Sequence, residues 1–597
     1  MTQTLSQNWD LDTFFPGGSD SQAFQDYLTK LKEDLERLNI RVKDMFAPTA
    51  SDQLAGFSAL IHEVQDTAVR LREASAFTSC LTAQDMKDNK ATLLSGTVKS
   101  LRATYATILT NIERILTEIP EDLWLELVRH PEFEAISFYL GERRQAAREK
   151  LSPDMEALVS DLSVDGYHGW GELYNTTVGN MAIPYEDNGE TKHLSVGQAQ
   201  NKLSDPDKTV RDTMFEKWEK AWSAHADFCS DALNHLSGFR LSLYKNRGWH
   251  DVHKEPLDYN RMSGQTLQAM WKAIDDHKSY LLSYFERKAQ LLGVEKLDWN
   301  DVSAPIGNVS KAVSYDEAAD FIIKHFETFS PKMASFTKKV FEESWIEAED
   351  RPGKRPGGFC TSFPDSKQTR IFMTYSGSAS NVATLAHELG HAYHQHVMND
   401  LPPMAQQYAM NVAETASTFA ELIVADASIK EAQNKDEKIA LLDNKIQRSV
   451  AFFMNIHARF IFETAFYEER KRGLVPVSRL NELMVQAQKE AYKDALGSYH
   501  PHLWASKLHF YLTQVPFYNF PYTFGFLFSA GVYLKAMEEG QDFENRYIAL
   551  LQDTASMTVE QLAHKHLDAD LTSTAFWESA IQLVLQDVNE FLTLTNE

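Results

Sequence analysis

Residues 378–398, SASNVATLAHELGHAYHQHVM, decide the reading of this chain of 597 residues. The stretch reads as a helix. Ser380 or Asn381 can cap its start, and Asn399, Asp400 and Pro402 stop it. Within it stands His387-Glu388-Leu389-Gly390-His391, an HExxH pattern. Side chains four apart on a helix share a face, so the two imidazoles can aim at one point. Two neutral imidazole nitrogens suit Zn²⁺ and leave room for a third ligand and a water. Glu388, one step past the first histidine, can lie beside that water as a general base. His394 and His396 fall in the next turn and receive no role.

A site of this kind needs a third ligand from a second element. The next helical segment, NVAETASTFAELIVAD over 411–426, carries Glu414 and Glu421 seven apart among small and apolar neighbours. Such an acidic pair faces inward. Glu414 completes a His₂Glu set, and Glu421 is placed to orient an imidazole N–H. Glu414 follows His391 by 23 residues, room for a helix end, a loop and a returning helix.

Upstream, RPGKRPGG at 351–358 is too rich in Pro and Gly for regular structure. FCTSFPDSKQTRIFMTYSG then gives two short runs around the turn-like PDSK of 364–367, which predicts a β-hairpin or small sheet. Much of the rest is helical. Phe24, Leu28, Leu31, Leu35 and Leu38 recur at helical spacing, with Ser19 or Asp20 placed to cap. Amphipathic stretches continue through 51–118 and 134–163, and helices resume beyond about 196. PYEDNGE at 184–190 predicts a hairpin or loop. We expect a helical N-terminal domain over 1–195 and a catalytic domain over 196–597.

Composition narrows the function class. The net charge is −25, so phosphate backbones and anionic lipid are repelled, and no basic stripe offsets this. Neither nucleic acid nor membrane is an expected partner. Phe510–Leu534 carries no Asp, Glu, Lys or Arg, but Pro516, Pro521, Gln514 and Asn519 fit a buried wall better than a bilayer span. The opening MTQTLSQNWDLDTFF lacks a basic and an apolar region, so no signal peptide is expected. Cys80, Cys229 and Cys360 lie far apart and fit a reducing cytoplasm.

TLAHELGHA at 384–392 followed by AETAS at 413–417 resembles oligoendopeptidase F, in the wider group that includes thimet oligopeptidase. LYKNRGWHD at 243–251 and VPFYNFPYTFG at 515–525 extend the resemblance, which covers about residues 110 to 580. It implies a mostly α-helical, zincin-type metallopeptidase. Two halves would enclose a deep substrate channel, with a small β-sheet beside the active-site helix and one zinc ion at the floor. It implies internal cleavage of short peptides, with folded proteins spared. Carried over by residue, His387, His391 and Glu414 hold zinc and Glu388 is the base. His509, Tyr518 and Tyr522 are the candidates for holding the peptide and stabilising the oxyanion. A further tyrosine expected near 525 is Gly525 or Phe526 here. The rival readings are a zinc carboxypeptidase of similar helical fold and an inactive peptide-binding scaffold. The oligomeric state, monomer or dimer, stays open.

Overall fold

The computed structural model describes residues 4–187, 189–307 and 312–596. The first three residues of the N-terminal stretch, and Asn188 of the 184–190 turn, lie outside them. Helices hold 72% of the chain. The chain forms two compact units, each built from three separate stretches. The first comprises Met1–Glu149, Lys311–Ala427 and Val532–Asp568, and the second Lys150–Ser310, Ser428–Gly531 and Ala569–Glu597. A boundary at 195/196 therefore falls inside a stretch of the second unit.

In the first unit, the helix Gln22–Asp44 buries Phe24, Leu28, Leu31, Leu35, Leu38 and Val42, the face that the apolar spacing predicts. Its cap is Ser21, not Ser19 or Asp20: the Ser21 side chain accepts from the Phe24 N–H. Both predicted residues fall in a short 3₁₀ turn, Gly18–Asp20, that precedes the helix. Helices Leu54–Gln84 and Asn89–Glu118 pack on the first. Phe15, Phe24 and Phe77 meet at ring-centroid distances of 4.7–4.9 Å within this core.

The predicted hairpin is present. β4 (Phe359–Phe363) and β5 (Gln368–Phe372) pair antiparallel, with Phe359 opposite Phe372 and Phe363 opposite Gln368. The turn between them is 364–367, where Lys367 takes a φ of 52°. A short β3 (Ile346–Glu347) adds to β5 in parallel, so the sheet order is β3-β5-β4 and β4 is an edge. The helix Ala379–Met398 packs on β4 and β5. Its cap is Ser378, two or three residues earlier than the sequence suggested. Asn381 sits at the third helical position and closes a capping box, and its Oδ1 also accepts from the Ser376 N–H at 2.9 Å.

In the second unit, β1 (Ile183–Asp187) and β2 (Glu190–Leu194) form the hairpin expected at 184–190. The helix Lys208–Arg247 runs for 40 residues, capped by Asp207 and ended by Gly248 at φ 74°. It buries Trp218 and Trp222. The uncharged stretch after Phe510 is wall material as expected. Phe510, Tyr511, Phe517, Phe520, Phe524 and Phe528 are all buried. It is not one continuous helix, because regular helix begins only at Phe520. Gly531 lets Phe576 reach the helix backbone: a Cβ there would overlap the ring. Among the described residues, no helix is long and apolar enough to cross a membrane.

Candidate active site

The first unit brings His387, His391 and Glu414 together. One ligand atom from each lies within 4.8 Å of the others. Glu414 Oε2 is 3.3 Å from His387 Nε2 and 3.5 Å from His391 Nε2. Glu414 does not sit inside one continuous helix over 411–426, as expected. It occupies the junction between a short turn of helix, Met410–Ala413, and the helix Thr415–Lys430, with ψ near 0°. That break turns its carboxylate toward the imidazoles. Ser417 reaches back and donates at 2.7 Å to Glu414 Oε2, the oxygen that faces the imidazoles, and so holds the carboxylate in place.

Gly390, the fourth residue of HELGH, sets how closely the two helices approach. A Cβ there would overlap the Ala416 carbonyl oxygen and lie 2.6 Å from Ser417 Cα. Only a bare backbone admits the Glu414 segment at that distance.

Glu421 is where the spacing put it. Its Oε2 lies 3.2 Å from His387 Nδ1, so the carboxylate can take that ring N–H and aim Nε2 at Glu414 and the centre. Both carboxylates thus contact one imidazole from opposite nitrogens. His391 has a hydrogen bond to the Ala413 backbone in the corresponding role.

The electrostatics suit a cation. Burial pushes the His391 imidazole down to about 4, against the raising pull of Glu414, so it is a neutral donor at neutral pH. Burial alone would raise Glu414. The hydrogen bond from His387 and the nearby imidazoles outweigh it and hold the carboxyl down to about 2. Glu388 behaves differently. Burial pushes it up to about 7, with His387 lowering it and Glu414 raising it. It is 7% exposed, and among the described residues its Oε2 has no hydrogen-bond partner. Gly358 makes room for it: a Cβ there would lie 3.3 Å from Glu388 Oε1. Two imidazole nitrogens, one firm carboxylate and a buried acid beside them fit a divalent cation of the zinc type.

His394 and His396 have structural partners. His394 is fully buried, bonds through Nε2 to the Leu551 carbonyl and Thr554 hydroxyl, and stacks on Tyr408. His396 stacks on Phe336 at 4.4 Å.

His509, Tyr518 and Tyr522 cluster within the second unit. The His509 and Tyr518 rings are 5.2 Å apart, and the Tyr522 hydroxyl donates to that of Tyr518 at 3.1 Å. Burial, then the charges of Arg459 and Lys507, push His509 down to about 4. Burial and Arg459 likewise push Lys507 down to about 7. Sequence reasoning did not single out these two cations, nor Ser417 and Gly358. Gly390 was visible, inside the motif itself.

Comparison with known proteins now decides the family. The sequence model described as "Peptidase family M3" matches residues 202–583, and one described as "Oligopeptidase F" matches 116–182. The chain belongs to peptidase family M3. It is a metallopeptidase, and the resemblance to oligoendopeptidase F is borne out. It is 23% identical to the chromosomal oligoendopeptidase F of Lactococcus lactis subsp. cremoris over 430 residues, 70% of each chain. Two solved structures share the fold. A peptidase from Chlamydophila abortus superposes with a TM-score of 0.83 at 18% identity, over 99% of both chains. Oligoendopeptidase F from Enterococcus faecium gives 0.70 at 18% identity, over 97% of this chain and 99% of that one. The mostly helical class and the small sheet beside the motif helix agree with these relatives.

Proposed function

We propose that this family M3 member is a zinc-dependent oligoendopeptidase that cuts internal bonds of short, unstructured peptides. The observation that carries the reading is the meeting of His387, His391 and Glu414 beside the buried, unpartnered Oε2 of Glu388. Zinc held by those three side chains would supply a Lewis acid for the scissile carbonyl and lower the pKa of a water. Glu388 accepts the proton of the attacking water and returns it to the leaving amine. A carboxyl held near 7 is suited to both halves of that transfer. Glu421 fixes the His387 ring, and Ser417 fixes the Glu414 carboxylate.

The substrate contacts are proposals of the same reading. Among the described residues β4 pairs only with β5, and its start adjoins Glu388, so an extended peptide could add along its other edge. His509, Tyr518 and Tyr522 are assigned as donors to the oxyanion and the peptide. Flexible peptides are the expected substrates, and folded domains are expected to be spared. We place the enzyme in the cytoplasm, in keeping with three free cysteines.

The test is a digest of a defined peptide mixture, followed by mass spectrometry, with and without a chelator. Internal cuts that chelator abolishes and zinc restores support the reading. A ladder of single residues lost from the C-terminus would make the enzyme a carboxypeptidase. No cleavage at all would leave only a binding scaffold.

A further inference from the structure

The LYKNRGWHD segment of 243–251 has no part in the mechanism above, yet it lines a cavity of the second unit of about 760 Å³. That volume lies in the range of small-molecule sites. One wall is a stripe of the helix Lys208–Arg247. His235, Gly238, Ser242 and Lys245 follow one another at three- and four-residue steps and so share a face. Trp170, Phe239 and Trp249 supply rings, and Arg470 and Lys471 complete the lining.

The charge of this cavity runs against the chain. The protein carries 84 acidic and 59 basic residues, yet no Asp or Glu lines the cavity, whereas Lys245, Arg470 and Lys471 do. Lys471 is paired with Glu468 at 2.6 Å, and the Tyr244 hydroxyl is taken by Glu255. Arg470 has no carboxylate partner among the described residues. Its Nε donates to the Asn234 carbonyl at 2.9 Å, which leaves the outer edge of the guanidinium uncommitted. Its position is rigid. Asn234 bonds twice to the Val475 backbone, each at 2.9 Å, tying the Arg470 segment to the helix. Gly238 lets the guanidinium rest on the helix backbone, since a Cβ there would overlap Nη2 and stand 3.0 Å from Cζ.

A rigid guanidinium with a free edge grips a carboxylate or a phosphate. The helical wall has its N–H groups tied up in the helix and offers none of the backbone donors that phosphate sites use, which favours the carboxylate. We propose that this cavity binds the C-terminal residue of a peptide, with Arg470 and Lys245 holding its carboxylate and the rings of Trp170, Phe239 and Trp249 flanking its side chain. The proposal rests on the reading of the chain as an oligopeptidase.

The experiment titrates the full-length, chelator-treated protein by calorimetry with an N-acetylated dipeptide ending in Phe, as the free acid and as the C-terminal amide. AMP and inorganic phosphate serve as competing probes. The expected result is that the amide binds at least about tenfold more weakly than the acid, the scale of losing a charge-assisted pair. In Arg470→Gln that difference should collapse. Gly238→Ala, whose methyl would push the guanidinium off the helix and meet no backbone, should do the same. Equal binding of acid and amide to the unmutated chain overturns the proposal, as does a preference that survives both substitutions. AMP binding without peptide-acid binding would make it a nucleotide site and also overturn it. Zinc-restored hydrolysis is read separately on the same protein. Carboxylate-dependent binding without hydrolysis sinks only the peptidase reading, and hydrolysis without such binding sinks only this proposal.

Discussion

Gly390 and Ser417 meet backbone to backbone: a Cβ added to Gly390 would lie 2.6 Å from Ser417 Cα. This approach lets the segment bearing Glu414 dock on the helix bearing both histidines. The meeting of His387, His391 and Glu414 therefore depends on a residue outside that set.

Gly390→Ala should accordingly damage both stability and metal binding. The added methyl meets backbone, which cannot rotate away, so the cost is that of overpacking, roughly 1–3 kcal/mol. Chemical denaturation of the metal-free protein gives the stability loss, and zinc competition with an indicator dye gives the affinity. A variant unchanged in both would mean that the two segments sit farther apart than described.

Glu421→Gln should keep the three ligands yet weaken the metal by about 10–100-fold, the usual effect of losing a carboxylate behind a ligating imidazole. Ser417→Ala should act in the same direction through Glu414. Competition titration with a chelator of known affinity measures both. Unaltered affinity in Glu421→Gln would remove Glu421 from the site.

Glu388→Gln should retain zinc and lose at least about a hundredfold in turnover, the scale of general-base catalysis. Turnover and metal content are measured on one preparation. Substantial residual activity would mean that another group takes the proton.

Much of this site was legible because helices convert spacing into geometry. His387, His391, Glu414 and Glu421 are fixed by steps of four and seven, and the structure brings all four together. The apolar positions of Gln22–Asp44 were equally plain for the same reason. Caps were less so. Ser378 and Ser21 won over their neighbours because each begins a turn whose backbone geometry the sequence does not display. β3 is two residues long, too short for any alternation to show. Ser417 and Gly358 act through a kink and a strand end, and neither leaves a periodic mark. The interleaving of the two units arises from contacts distant in sequence, which no composition shift marks.

A pH prediction concerns the second unit. Burial alone would raise Glu219, but hydrogen bonds from His500 and His502 outweigh it and hold the carboxyl down to about 2. A depressed carboxyl stabilises the fold above its unfolded pKa, and the contribution is lost as pH falls toward the folded value. Glu219→Gln should thus be less stable than the unmutated chain at pH 7. The gap, on the order of 3 kcal/mol, should shrink steadily as pH drops from about 5 toward 2. Urea midpoints across that range check it, and a gap independent of pH would refute the assignment.

The most direct test of the central claim is zinc content per chain, measured side by side on the purified protein and on Glu414→Ala. We predict about one zinc ion per unmutated chain and close to none in the variant, since two imidazoles alone hold the ion poorly. Glu414→Ala carrying a full complement of zinc would contradict the account, because the third ligand would then lie elsewhere.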